Sequence, residues 1–387
     1  MLPRIPMDFD LSEDQTLLQD SVRRLLGDKY GFEQRKGYMA SDTGWSREIW
    51  AQYAELGLLG LPFAESEGGF GGGREEVLIV AEQMGRAITL EPWFTTVVVG
   101  GGFLRHGADA ATRAALVPKV AAGECLLAFA HTERQSRYDL HDVCSAARKD
   151  GAGWVIDGRK GMVLHGDTAT KLVVTARTAG GQRDTRGVGV FLVDAGAPGV
   201  SIRGYRTVDG QRAAEVELAG VRAEAVLGDP ADGLPIVDRV IDEAIAALAA
   251  EAVGAMDVAH EMTIDYMKTR KQFDRPIGSF QALQHRAADM LVALEQARSM
   301  AFFAALAAGE EDAGLRRRQM ASVKVQIGRS IRFVGQNTIQ LHGGIAMTME
   351  YAAGHYFKRL TVNEATFGDA DHWLRVLADA GGLVEAA

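Results

Sequence analysis

The alternation of hydrophobic and polar positions divides the chain into three textures. From Asp10 to about Ala122 the period is helical. Ser12 reads as an N-cap, and Gln15 three residues on completes a capping box. Leu17, Leu18, Val22, Leu25 and Leu26 then form one apolar stripe. A second helix is predicted over Ser46 to Leu56, stopped by Gly57, and a third over Glu75 to Ala87 after the Gly-rich loop Glu67 to Gly73. Leu116 to Val120 closes the region. Between about Gly123 and Gly228 short β-branched runs replace the helical period: Trp154-Val155-Ile156, Lys171 to Thr175, Val188 to Val193 and Val200 to Ile202. Turn dipeptides such as Asp157-Gly158 and Asp209-Gly210 separate them. From about Ala231 the helical period returns. Val237, Val240, Ile241, Ile245, Leu248, Val253 and Met256 lead to Tyr266, and long helices are predicted over Phe280 to Leu306 and Met320 to Leu341. The Ala-rich runs Ala244–Ala252 and Ala301–Ala308 fit close helix–helix contact and equally well high helix propensity alone. The expectation is an α+β chain: an N-terminal helical domain over 1–122, a middle β-barrel or sandwich over 123–230, and a C-terminal helical bundle over 231–387.

Composition narrows the function. The net charge of −9 argues against nucleic acid as a partner, because such proteins need clustered cations. With only Cys125 and Cys144, neither a disulfide framework nor a Cys-rich metal site is available. The N-terminus lacks an apolar signal core, and no apolar run approaches the roughly 18 residues of a membrane span. A soluble, cytoplasmic protein is expected.

Several familiar chemistries do not fit. Gly68-Gly69-Phe70-Gly71-Gly72-Gly73 matches no phosphate-loop frame and reads as a structural turn. His260-Glu261 lacks the second histidine of a zinc helix, and no metal is expected. Two C-terminal segments carry more information. One is Tyr266-Met-Lys-Thr-Arg270-Lys-Gln272-Phe273-Asp274-Arg275-Pro276-Ile277, an Arg at a helix-to-loop junction that either forks onto a pyrophosphate or simply faces water. The other is Gln340-Leu-His342-Gly343-Gly344, followed by Glu350-Tyr351, where the Gly pair is a helix C-cap or a place of close approach.

Together and in this order these segments resemble the acyl-CoA dehydrogenase family. Tyr266, Arg270, Phe273 and Pro276-Ile277 match one family pattern; Gln340, Gly343-Gly344 and Glu350-Tyr351 match another. Leu61-Pro62, Glu65, Gly68-Gly69, Glu82 to Arg86 and the opening Asp8-Phe9-Asp10-Leu11-Ser12 agree. The resemblance implies FAD held without a Rossmann fold and an acyl-CoA substrate dehydrogenated between its α and β carbons. It places Arg270, Gln272 and Phe273 on the adenosine diphosphate of a neighbouring subunit's FAD, with Gln340, Gly343 and Gly344 lining the same site. The flavin ring would lie on Phe129-Ala130-His131-Thr132-Glu133, with Thr132 at the ring edge. A homo- or hetero-tetramer and an acceptor such as electron-transfer flavoprotein come with the resemblance.

The departures are concentrated. Aligned from Arg359, the family's catalytic Glu position holds Gly368, and its alternative helix-borne position holds Ala244. The family's ring-side aromatic and hydroxyl are replaced within Lys160-Gly-Met162-Val163-Leu164, and its Gly after Phe273 is Asp274. Two expectations follow. Either the chain is a complete dehydrogenase with a relocated base, Asp369 or Glu243, or it is a non-catalytic accessory subunit completing the FAD site of a catalytic paralogue in an α2β2 assembly. The ending Phe367 to His372 resembles the small subunits of heteromeric, pimeloyl-CoA-type enzymes.

Overall fold

The computed structural model describes residues 11–382, so the opening Asp8-Phe9-Asp10 lies outside the described residues. Helices α1 (Glu13–Lys29), α2 (Phe32–Ala40), α3 (Arg47–Glu55), α4 (Arg74–Ala87), α5 (Gly101–Gly107) and α6 (Ala110–Ala121) come first. The Ser12–Gln15 capping box forms as expected, with Ser12 Oγ accepting from the Gln15 N–H at 3.1 Å. The Gly-rich loop is a packed turn: a Cβ on Gly69 would lie 2.2 Å from the Phe63 carbonyl oxygen.

Strands β1 (Leu127–Ala130), β2 (Ala146–Asp150), β3 (Gly153–Leu164), β4 (Lys171–Arg177), β5 (Val188–Asp194), β6 (Val200–Arg206), β7 (Arg212–Arg222) and β8 (Ala225–Val226) build one sheet in the order β6-β7-β3-β2-β4-β5-β8. Strand β1 joins it by pairing parallel to β4, and two register shifts bend β3 along β7. The β-branched runs miss four strands: β1 and β8 are too short to show a period, and β2 and β7 mix alanine with charged residues.

The C-terminal helices are α7 (Leu234–Thr269), α8 (Gln281–Ala307), α9 (Ala313–His342), α10 (Ala352–Ala365) and α11 (Ala370–Asp379). A two-stranded hairpin, β9 (Lys271–Gln272) and β10 (Arg275–Pro276), links α7 to α8. Among the described residues one helix, α8, is long and apolar enough by length and composition to cross a membrane. Its buried Ala287, Met290, Leu294, Ala297, Ala301 and Ala304 recur every three and four residues, a seam facing α7 and α9. The expected close helix contact occurs between α4 and α7. There, a Cβ on Gly85 or Gly254 would come within 2.0 Å of a backbone oxygen of the facing helix.

The three regions meet at a buried ionic knot. Arg359 on α10 donates to Glu251 of α7 at 2.5 and 2.8 Å and to Asp209, in the β6–β7 turn, at 2.9 Å. Arg35 of α2 donates to the Asp209 carbonyl at 2.8 Å and to that of Ile88, just past α4, at 2.7 Å. Burial opposes the charge on Arg359, but Glu251 and Asp209 more than offset it and raise its pKa. Arg359→Ala would strand two buried carboxylates and is expected to cost about 3–5 kcal/mol. A urea titration followed by circular dichroism reads this as a lowered midpoint.

Candidate functional site

The sheet, the Phe94–Gly100 helical segment, α7 and the last three helices line an open cavity of about 680 Å³. One wall comes from β1. Its side chains alternate, so Ala128 and Ala130 enter the sheet core while Phe129 and His131 line the cavity with Thr132. Met162 and Leu164 of β3 extend this wall.

Beneath it, Glu133 is fastened to the Lys160 ammonium at 2.7 Å and accepts from the backbone N–H groups of Cys144 and Ser145 at 2.8 and 3.0 Å. Burial works against both charges. For Glu133 the nearby ammonium and donors win, pulling it down to about 2; for Lys160 burial wins, to about 8. Between those values both are ionised, so near neutral pH the pair is ionic and pins the end of β1.

The opposite wall is the loop between α10 and α11. Phe367 has φ +57° and Gly368 φ +106°, and the Phe367 carbonyl accepts from Trp373 Nε1 at 2.8 Å. A Cβ at Gly368 would lie 2.5 Å from that indole nitrogen and 2.7 Å from a His372 ring carbon. Trp373 therefore fills the space a side chain at 368 would need.

The two candidate bases separate. Asp369 lines the cavity, and its Oδ1 caps α11 by accepting from the His372 N–H at 2.7 Å. Glu243 does not reach the cavity. On α7, Ile241 faces it, and two residues further is about 200° around the helix. Glu243 instead bonds Arg105 at 2.7 Å, His106 at 2.9 Å and Arg239 at 3.3 Å. Burial alone would raise its pKa, but the His106 bond and the neighbouring cations overcome this and bring it to about 2. Its carboxylate is taken up by these partners and turned away from the cavity, unlike that of Asp369.

The second cluster lies at the other end of α7. Arg270 is its C-cap, exposed and unpaired with any carboxylate among the described residues. In the hairpin, Phe273 and Asp274 take left-handed conformations at φ +54° and +63°, positions that favour Asn-Gly. Phe273 is 85 % exposed, held edge-on at 6.1 Å from Phe280, whose ring carries Arg275 at 4.1 Å. His342 of α9 stacks on Tyr266 at 4.7 Å and contacts Tyr351 at 5.3 Å, so the two sequence segments are stitched into one surface. Gln340 is exposed beside them, and a Cβ on Gly343 or Gly344 would meet nothing within 4 Å.

A flavin dinucleotide fits these features in two halves. The flat Phe129–His131 wall and the Thr132 hydroxyl suit a ring, and the unpaired Arg270 with exposed Phe273 and Gln272 suits an adenosine diphosphate. Ile241 and Tyr266 are 25 positions apart on α7, about 37 Å along the axis. One extended dinucleotide is shorter than that separation.

Family models describing the N-terminal, middle and C-terminal domains of acyl-CoA dehydrogenases match residues 12–124, 128–221 and 231–381. Acyl-CoA dehydrogenase IpdE2 of Mycobacterium tuberculosis is 30 % identical over 90 % of this chain and 91 % of its own. A probable acyl-CoA dehydrogenase of Bacillus subtilis, YngJ, is 27 % identical over 96 % of this chain and 99 % of its own. Among solved structures, a variant of the Tcur3481–Tcur3483 steroid ACAD superposes with a TM-score of 0.86 at 30 % identity, covering 95 % of this chain and 97 % of that one. The ChsE4–ChsE5 complex of Mycobacterium tuberculosis, at 24 % identity, shares the fold with a TM-score of 0.87 over 98 % of this chain and all of that one.

Two outcomes follow from the geometry. Gly368→Glu combines a Gly-only backbone conformation with a clash against Trp373, so it should cost at least about 1–3 kcal/mol in a thermal melt and add no turnover. Glu243→Gln should leave turnover unchanged yet lower stability by about 1–3 kcal/mol. Because Glu243 is depressed from 4.5 to about 2, its contribution is full above pH 4.5 and fades as pH falls toward 2. The Gln variant's melting temperature should therefore fall less on acidification over that window.

Proposed function

The chain belongs to the acyl-CoA dehydrogenase family, and from that premise we propose that it works as the accessory subunit of a heteromeric, α2β2 FAD-dependent dehydrogenase. FAD is the cofactor and α,β-dehydrogenation of an acyl-CoA thioester the reaction. The acceptor for the β-hydrogen as hydride would be supplied by bound FAD, and the α-proton would need a carboxylate.

The observation that carries the accessory role is the closure of the base position. Trp373 occupies the space beside Gly368, Ala244 supplies no carboxylate, and Glu243 is held by Arg105, His106 and Arg239. The adenosine-side surface is meanwhile complete and outward-facing. Arg270 would fork onto the pyrophosphate of a partner's FAD, with Gln272, Phe273, Gln340, Gly343 and Gly344 bordering the adenosine. Phe129, His131 and Thr132 would face the ring on this chain's own side. The wide cavity, with Phe129, Phe367 and Trp373 in its walls, supports a bulky acyl group, and the named steroid ACAD relative points the same way.

The domain division at about residues 122 and 230, a cytoplasmic setting supported by the exposed free Cys144, and electron-transfer flavoprotein as acceptor complete the reading. A second reading keeps one observation on its side: Asp369 is the only carboxylate on the cavity wall among the described residues, and it would be the base of a one-chain enzyme.

Purified alone, the chain should hold well under one FAD per protomer, and co-expression with its base-carrying paralogue should yield a yellow, active complex. Absorbance at the flavin band with native mass spectrometry decides it. A fully flavinylated, active homo-oligomer that loses turnover on Asp369→Asn establishes the second reading instead. In the complex, Arg270→Ala should weaken FAD retention by about 1.5–3 kcal/mol, read by equilibrium dialysis.

A further inference from the structure

His131 is a buried histidine on the cavity wall whose proton can be located from its neighbours. The Lys160 ammonium has three N–H groups and three acceptors: Glu133 Oε1 at 2.7 Å, the His131 carbonyl at 3.1 Å and Thr175 Oγ1 at 3.3 Å. Thr175 is fully buried in β4, and its hydroxyl oxygen already accepts from Lys160. The ammonium cannot accept, so among the described residues the hydroxyl's single proton has one acceptor, His131 Nδ1 at 2.8 Å. A neutral imidazole that accepts at Nδ1 carries its hydrogen on Nε2. Burial, aided by the Lys160 charge, keeps the ring neutral, its pKa drawn down to about 3. The ring stacks on Phe129 at 5.4 Å and 15°. Among the described residues no protein group takes the Nε2 hydrogen.

We propose that His131 is a fixed Nε2–H donor to a carbonyl oxygen of the ligand in the cavity, with Thr175 and Lys160 as the positioning residues that set its tautomer. The acceptor class follows from the surroundings. Phe129, Met162 and Leu164 make this wall apolar, so an uncharged donor there selects a neutral acceptor over an anion. Two such oxygens belong to the ligands of this enzyme class, a ring carbonyl of the flavin and the thioester carbonyl of the acyl group. Leu164 stands where the family pattern carries a hydroxyl, and His131 returns a donor to the same wall. The inference rests on the family reading that these ligands enter the cavity, and does not depend on whether the assembly is heteromeric.

The test uses the full-length chain labelled with nitrogen-15 in histidine. Long-range nitrogen–proton spectra should show His131 as the Nε2–H tautomer, unchanged between about pH 5.5 and 7, below the value of about 8 at which Lys160 gives up its proton. Thr175→Val should convert it to a mixture of tautomers. FAD and carbonyl-labelled octanoyl-CoA are then titrated separately into wild type, His131→Leu and His131→Gln. Losing the donor should weaken one ligand about ten-fold, and Gln, which retains an N–H, should recover most of that. Loss confined to FAD assigns the ring carbonyl; loss confined to octanoyl-CoA, with a shifted carbonyl resonance in wild type, assigns the thioester. If His131→Leu does not fold, Thr175→Val should show the same selective weakening. An Nδ1–H tautomer, or affinities for both ligands that no variant changes, overturns the proposal. A flavinylated homo-oligomer would overturn the heteromeric reading and leave this one standing.

Discussion

The Arg359 guanidinium is the constraint on which the arrangement of the three regions depends. It spans from α10 to Glu251 on α7 and to Asp209 in the β6–β7 turn, and all three groups are buried. Buried charges are costly to desolvate, so such a knot contributes little net stability compared with an apolar core of the same shape. Its contribution is to geometry. With one partner displaced, the remaining charges are left uncompensated, so the sheet, α7 and α10 have only one low-energy arrangement. That arrangement places the α10–α11 loop opposite the end of β1. The neighbouring Glu364 continues it, accepting from Arg332 at 2.8 Å and from the Ala370 N–H at 3.1 Å. The cavity is the space that remains between walls fixed in this way.

Helix α7 converts that local order into a statement about assembly. It starts at the cavity and ends at the hairpin, and its middle is clamped to α4 by backbone contact at Gly85 and Gly254. A helix held so tightly cannot bend to bring its ends together. The cation at Arg270 and the aromatic at Phe273 are consequently presented outward on a hairpin with two residues in left-handed conformations. Such a hairpin stores strain of order 1–3 kcal/mol per residue, a cost that contacts elsewhere must offset. An exposed phenylalanine on a strained turn is poorly explained by the stability of this chain alone, and well explained by a surface that is completed from outside.

Much of this was legible in the residues. The helical periods, the Ser12–Gln15 box and the Gly343 C-cap follow from local rules, and the structure has them where the patterns put them. The pairing of the Tyr266 and Gln340 segments was legible only as a family pattern; the stacking of Tyr266 on His342 gives it a physical cause. What could not be read was long-range. Glu243 is one residue from a known base position, and its three partners come from α5 and from one turn earlier on α7. Trp373 lies five residues beyond Gly368, and only the positive φ values of Phe367 and Gly368 turn the two toward each other. The His131 tautomer depends on Lys160 and Thr175, 29 and 44 positions away. No periodicity carries such information.

The departures on the two walls are not of one kind. On the β1 wall the polar anchors persist: the Glu133–Lys160 pair holds the strand end, and Thr132 and His131 still present polar atoms. On the α10–α11 wall the change is structural. Restoring a carboxylate at 368 would require a non-glycine residue at φ +106° and the expulsion of a buried tryptophan that bonds the Phe367 carbonyl. That is a cost of packing and backbone together, so no single substitution reverses it. A site that decays without constraint collects independent changes, each reversible at its own position. Here a glycine, a positive φ at its neighbour and a tryptophan filling the gap depend on one another, while the ligand-facing wall opposite stays ordered. The loop is therefore packed as a closed wall rather than left as an emptied active site, which fits a subunit retained for what it binds and completes rather than for the proton it removes.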